Sequence, residues 1–208
     1  MMPSSKIEAV LFDLDGVLVD ACDWHYESLN IALQEEGFRP IARAEHLSTY
    51  NGLPTRVKLD MMGIQGDRAA RVERSKQKHT LDVIAKMAVP MREKIELHTH
   101  LRMLGLRTAC VTNSIRMTAE EMLRRTGQLD LLELVVANED VERNKPHPDP
   151  YLHAMRTMGV PPEKCACVED SDKGEASALA SGGMLWRVRG TEDVHVDGWR
   201  EYVSRSFR

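Results

Sequence analysis

Residues 7–20 read Ile7-Glu8-Ala9-Val10-Leu11-Phe12-Asp13-Leu14-Asp15-Gly16-Val17-Leu18-Val19-Asp20. The run 7–14 is short and rich in aliphatic residues, and a glycine-containing turn at Gly16 ends it. That is the pattern of a strand buried on both faces of a parallel sheet. Four later runs repeat it, at 107–112 (RTACVT), 134–137 (LVVA), 165–168 (CACV) and 184–188 (MLWRV), with helical segments between them. The alternation predicts an α/β fold with a doubly wound parallel sheet.

One interval breaks the rhythm. Nearly a hundred residues separate Gly16 from the strand ending at Thr112, although a parallel crossover needs only one helix. Segments 23–36, 44–62 and 67–87 read as helices, broken by Gly37, Pro40, Gly63 and Gly66, so residues 21–90 are expected to form a small inserted helical domain. Residues 1–20 and 91–208 then form the α/β core, and Pro90 before the helical pattern 93–104 marks the return to it. No internal repeat or low-complexity tract interrupts this plan.

Composition narrows the function classes. The 208 residues suit one large domain or a core with an insertion, and a net charge of −4 from 28 basic and 32 acidic residues leaves no electrostatic footprint for nucleic acid or an anionic membrane. The segment MMPSSKIEAV carries no long apolar stretch, and nowhere do about eighteen apolar residues run together, so the reading is cytoplasmic with no membrane span. Cys22, Cys110, Cys165 and Cys167 read as reduced core thiols, since their spacing makes no metal knuckle. His98 and His100 stand two apart on a helix and face different ways.

Chemistry gathers at the strand ends. On an extended chain Asp13 and Asp15 point to one side, about 6–7 Å apart, so that one carboxylate can attack phosphorus while the other protonates the departing oxygen and later activates water. A helix cap or turn pair is the structural use of such aspartates. Their place at the carboxyl end of the leading strand, where open α/β sheets bind ligands, favours the functional reading. Two crowded carboxylates call for a divalent cation, and Glu169 and Asp170 follow the run CACV, where a solvated loop is the alternative. Oxygen donors without clustered His or Cys suit Mg2+. Thr112-Asn113-Ser114, between a strand and a helix, reads as a phosphate cradle or as a routine N-cap. Lys145, fixed by Pro146 in the loop NKPHPDP, would balance the negative charge unless it is simply solvated.

These motifs in this order resemble the haloacid dehalogenase superfamily over essentially the whole chain, and specifically its helical-cap branch of β-phosphoglucomutase-like enzymes and phosphatases. The four motifs are matched by Asp13–Asp20, Thr112–Ser114, Lys145-Pro146 and Glu169–Gly174. The resemblance implies an aspartyl-phosphate mechanism. Asp13 is then the nucleophile, Asp15 the general acid/base, Thr112 a phosphoryl hydrogen-bond donor and Lys145 the charge stabiliser. It places Mg2+ on the Asp13 carboxylate, the Asp15 carbonyl and Asp170, with Glu169 as an additional contact.

It also implies that the insertion is a cap that selects the substrate, with His25 at the site mouth and the loop Gly52-Leu53-Pro54-Thr55-Arg56 entering the site. Gly52 and Arg56 join Asn113 and Ser114 as expected substrate-binding residues. Glu175, where the family has an aliphatic residue, and His147, where it has a small or apolar one, depart from the pattern. The expected reaction is Mg2+-dependent hydrolysis of a small phosphorylated metabolite. A sugar phosphomutase sharing the same intermediate is the alternative, and an inactive binding module a more remote one. The expected partner is a small molecule, and the expected state a monomer or weak homodimer. The tail from Asp193, with Trp199, Tyr202 and Phe207, reads as a closing helix or a dimer contact.

Overall fold

The computed structural model describes residues 7–51 and 53–206, and in it the chain divides into two compact units. The described parts of Met1–Asp20 and Val89–Arg208 form one, and Ala21–Ala88 the other.

The five aliphatic runs form a parallel sheet in the order β3-β2-β1-β4-β5, with β1 at Ala9–Phe12, β2 at Arg107–Val111, β3 at Leu134–Val136, β4 at Cys165–Glu169 and β5 at Met184–Arg187. Phe12 of β1 pairs in register with Cys110 of β2 and Val168 of β4. As the central strand, β1 has all four residues fully buried, each of Val10, Leu11 and Phe12 contributing about 1.5–3 kcal/mol by leaving water. After β3 the chain crosses back to lay β4 on the other side of β1, so the strand order reverses around β1 and opens a crevice at the carboxyl ends of the strands. Helices α5 (Arg92–Met103), α6 (Arg116–Arg125), α7 (Asp149–Met158) and α8 (Asp172–Ala180) alternate with the strands.

The first strand is shorter than its sequence pattern suggests. It stops at Phe12, and the chain from Leu14 to Val19 turns back on itself, with Leu18 and Val19 N–H donating to the Leu14 carbonyl and Gly16 N–H to that of Val19 at 2.7 Å. Gly16, at φ +85°, supplies the left-handed conformation the turn requires. Asp13 therefore still continues the ladder, its N–H donating to the Val168 carbonyl at 3.0 Å, while Asp15 is presented by the turn beyond it and not by one continuous extended segment.

The helical unit holds α1 (Cys22–Glu35), α2 (Arg43–Glu45), α3 (Thr55–Met61) and α4 (Gly66–Met87). Leu29, Leu33, Ile41, Tyr50, Leu59 and Val72 form its core. The single helix expected over 44–62 is broken. α2 runs into a π turn at His46–Tyr50, Asn51 is extended, and Pro54, which biases the residue before it away from helix, precedes α3.

The last helix, α9 (Val196–Ser206), closes on β5: Trp199 and Tyr202 lie with ring centroids 5.8 and 5.4 Å from that of Trp186. Phe207 falls outside the described residues. Cys110, Cys165 and Cys167 are buried in the sheet, whereas Cys22 begins α1 half-buried and is no core thiol. His98 is buried and meets Gln128 Oε1 at 3.2 Å. Among the described residues no helix is long and apolar enough to cross a membrane.

Candidate functional site

The loops after β1, β2, β3 and β4 converge at one sheet edge. Lys145, in the loop before α7, sends its buried ammonium inward to Asp13 Oδ1 at 2.6 Å, Glu169 Oε1 at 2.5 Å and the Val111 carbonyl at 2.7 Å. These bonds saturate the three donors of a lysine. The Lys145 backbone is clamped as well. Its N–H donates to Asn113 Oδ1 at 3.0 Å, and Asn113 Nδ2 donates to its carbonyl at 3.1 Å. The amide of Asn113 thus ties the loop after β2 to the lysine.

Asp13, Glu169 and Asp170 each offer a carboxylate oxygen within 4.8 Å of the others. Burial raises the Asp13 carboxyl well above its ordinary range, with Lys145 opposing and Glu169 and Asp15 adding to the rise. Asp170 is raised by burial and then by Glu169. Burial also disfavours the Lys145 ammonium, but the charges of Asp13 and Glu169 outweigh it and push that group up. Three carboxylates therefore face one ammonium, and when ionised they leave two negative charges uncompensated.

The donor set fits a hard divalent cation, because it is all oxygen and because Glu169 Oε2 is buried with no hydrogen-bond partner. Glycines make room for both carboxylates after β4. A Cβ on Gly16 would stand 1.9 Å from Asp170 Oδ2, and one on Gly174 would stand 1.8 Å from Glu169 Oε2.

The other expected residues are placed as follows. Asp15 Oδ2 accepts a hydrogen bond from Ser114 Oγ at 2.9 Å, and the Thr112 hydroxyl, buried, accepts from Ser114 N–H at 3.0 Å. In the helical unit His25 is half-buried, its Nδ1 3.4 Å from Lys76 Nζ. Arg56 is exposed and ion-paired with Glu73 at 3.2 Å, and Gly52 lies outside the described residues. Both departures point outward. Glu175 pairs with Arg187 at 2.9 Å, and His147 is exposed while its carbonyl accepts from Ser177 Oγ.

One residue escaped the sequence reading. Tyr151, fully buried in the first turn of α7, donates to Glu169 Oε1 at 2.6 Å and sets its ring 5.0 Å from Lys145 Nζ. Burial, with the Glu169 charge, raises its hydroxyl pKa and keeps it a donor. The available signal was a tyrosine on the apolar face of α7, six positions after the lysine.

Comparison with known proteins agrees with this architecture. A family model described as haloacid dehalogenase-like hydrolase matches residues 10–187. A phosphoglycolate phosphatase of Thiobacillus denitrificans is 31% identical over 189 residues, spanning 88% of this chain and 83% of its own. Hexitol phosphatase A of Escherichia coli K12 is 31% identical over 192 residues, spanning 91% and 86%. Among solved structures, a β-phosphoglucomutase of Clostridium difficile shares the fold with a TM-score of 0.75 at 18% identity, over 96% of this chain and 100% of that one.

Proposed function

The chain belongs to the haloacid dehalogenase-like hydrolase family, and we propose that it is a magnesium-dependent phosphatase acting on a small phosphorylated metabolite, a sugar phosphate or small phospho-acid, through an aspartyl-phosphate on Asp13. The observation that carries this reading is the position of Lys145 Nζ between Asp13 Oδ1 and Glu169 Oε1, with Asp170 beside them. The relatives named phosphoglycolate phosphatase and hexitol phosphatase A support the substrate class.

Asp13 is the nucleophile. Lys145 holds its Oδ1, and the other carboxylate oxygen forms the bond to phosphorus as the bond to the leaving oxygen breaks. Asp15, oriented by Ser114, gives that oxygen its proton, then takes one from the water that attacks phosphorus, releasing phosphate and Asp13. The Thr112 hydroxyl and the N–H groups before α6 bind phosphoryl oxygens, and the fixed Lys145 charge meets the charge that develops there.

Asp13, Asp170 and Glu169, together with the Asp15 carbonyl, are the residues that would hold Mg2+, which would supply the two positive charges the carboxylates lack. The helical unit, with His25 and Arg56, is assigned to substrate selection.

Phosphate release from a panel of phosphorylated metabolites, with and without Mg2+, tests the reading. Release that requires Mg2+ is expected. Isomerised sugar phosphates without release would replace the phosphatase with a mutase, and no reaction on a broad panel would favour a binding module.

A further inference from the structure

A chain of buried polar side chains inside the α/β unit ends on the turn that carries Asp15. Gln128, fully buried, donates through Nε2 to the Leu18 carbonyl at 3.2 Å and to the Thr126 hydroxyl at 2.9 Å. Its Oε1 lies 3.2 Å from Nε2 of His98, also buried. The His98 ring in turn meets the Phe12 ring edge-on, with centroids 5.3 Å apart. Phe12 and Leu18 flank the segment 13–17, so one set of contacts brackets the stretch that holds both Asp13 and Asp15.

The bonds fix one another's direction. A carbonyl only accepts, so the Gln128 nitrogen must face Leu18 and the Gln128 oxygen must then face His98. His98 therefore carries its proton on Nε2 and donates, while its Nδ1 is buried with no hydrogen-bond partner among the described residues. The Thr126 hydroxyl accepts from Gln128 and donates to the Met122 carbonyl at 2.8 Å, which anchors the amide to the end of α6.

An amide in an apolar core is costly unless its bonds are made, and an aliphatic side chain of similar length would fill the space without them. What the amide adds is a fixed direction. Leu18 and Val19 N–H both go to the Leu14 carbonyl and Gly16 N–H to that of Val19, so none of the turn's own hydrogen bonds uses the Leu18 carbonyl. The Asp15 backbone forms a bridge with Val19. Gln128 thus holds the peptide that joins Leu18 to the bridging partner of Asp15, and Ser114 Oγ, at 2.9 Å, holds the carboxylate itself.

We propose that Gln128 is a positioning residue for Asp15: through the Leu18 carbonyl, and oriented by His98, it fixes the turn from which the Asp15 carboxyl gives its proton to the departing oxygen. This role depends on Asp15 acting as acid and base. A displaced acid matters most when the leaving oxygen is strongly basic, and little when that oxygen departs readily as an anion. Loss of the Gln128 bond therefore changes how the rate depends on the leaving group, whereas a smaller fraction of folded protein lowers every rate alike.

The test measures kcat/KM with Mg2+ on phenyl phosphate and on p-nitrophenyl phosphate, whose leaving group is the less basic, for the wild type, Asp15→Asn and Gln128→Met. The methionine keeps the length of the side chain and removes its donors. Gln128→Met is expected to lose about tenfold on phenyl phosphate and less than about twofold on p-nitrophenyl phosphate, a smaller copy of the discrimination expected of Asp15→Asn. Equal losses on both substrates in a folded Gln128→Met protein, beside a discriminating Asp15→Asn, overturn the positioning role and leave the acid/base reading standing. An Asp15→Asn variant that does not discriminate removes the acid/base reading and this role with it. Nitrogen-15 NMR of the wild-type His98 ring needs no variant: a proton on Nε2 is expected, and one on Nδ1 overturns the proposal even where Gln128→Met fails to fold.

Discussion

Lys145 Nζ lies 2.6 Å from Asp13 Oδ1, a buried ion pair that joins residues 132 positions apart and fixes the loop after β3 to the end of β1. Truncating one partner of such a pair strands the other. Lys145→Met is expected to abolish turnover and to cost about 3 kcal/mol of stability near neutral pH, because Asp13 and Glu169 would then crowd without a cation. Urea unfolding checks the stability, and the loss should shrink toward acid, where the Asp13 carboxyl, its pKa raised by burial, accepts a proton.

Tyr151 supports the same lysine through Glu169. Tyr151→Phe keeps the ring beside the ammonium but removes a hydrogen bond to a charged group, and about 1–2 kcal/mol of stability should go with it. Urea unfolding beside the wild type measures it; equal stability would show that the bond carries no net energy.

Two glycines give the carboxylates their room. Gly16→Ala meets both a left-handed φ and the Asp170 carboxylate, and Gly174→Ala meets the Glu169 carboxylate. Each should weaken Mg2+ binding by at least about tenfold by displacing a ligand, which calorimetric titration reads directly. Gly105→Ala, with nothing within 4 Å but the same positive φ, separates backbone strain from this contact: it should lose stability and keep Mg2+ affinity.

Protons and the cation compete for the same oxygens. Asp13 and Asp170 both have raised pKa values, so Mg2+ affinity should keep rising with pH above the ordinary carboxylate range. For the metal-free fold the sign is the reverse: a raised carboxyl favours folding below its unfolded pKa, and that contribution is lost as pH rises through the folded value. The thermal stabilisation given by Mg2+ should therefore be greater at neutral than at acidic pH.

His98 titrates with the opposite sense. Burial, against the opposing hydrogen bond to Gln128, holds it at about 4, below its ordinary 6.5, so its contribution is complete above 6.5 and lost as pH falls toward 4. That amounts to about 3 kcal/mol. Unfolding free energy of His98→Gln across this window should fall less steeply than that of the wild type.

The parts that sequence made legible are those with a local signature. A four-residue strand buried on both faces reads as an aliphatic run, and Asp13, Thr112 and Glu169 follow such runs, so their convergence came from strand order alone. Lys145 was marked by Pro146. Relations across distant segments had no such mark: Tyr151 serves the apolar face of α7 as well as Glu169, and nothing local pairs Glu175 with Arg187. The break in the helix expected over 44–62 was written in Pro54, but the apolar spacing on either side of it continued. Cys22 and His46 meet only because the helical unit brings the start of α1 to the π turn.

The most direct test of the catalytic account is rapid acid quench of a Mg2+-loaded turnover followed by mass spectrometry of the peptide carrying Asp13. A phosphoryl adduct on Asp13 that forms and decays within the turnover, and is absent with activity in Asp13→Asn, is the predicted result. Full turnover by Asp13→Asn, with no adduct at Asp13 in the wild type, would contradict it.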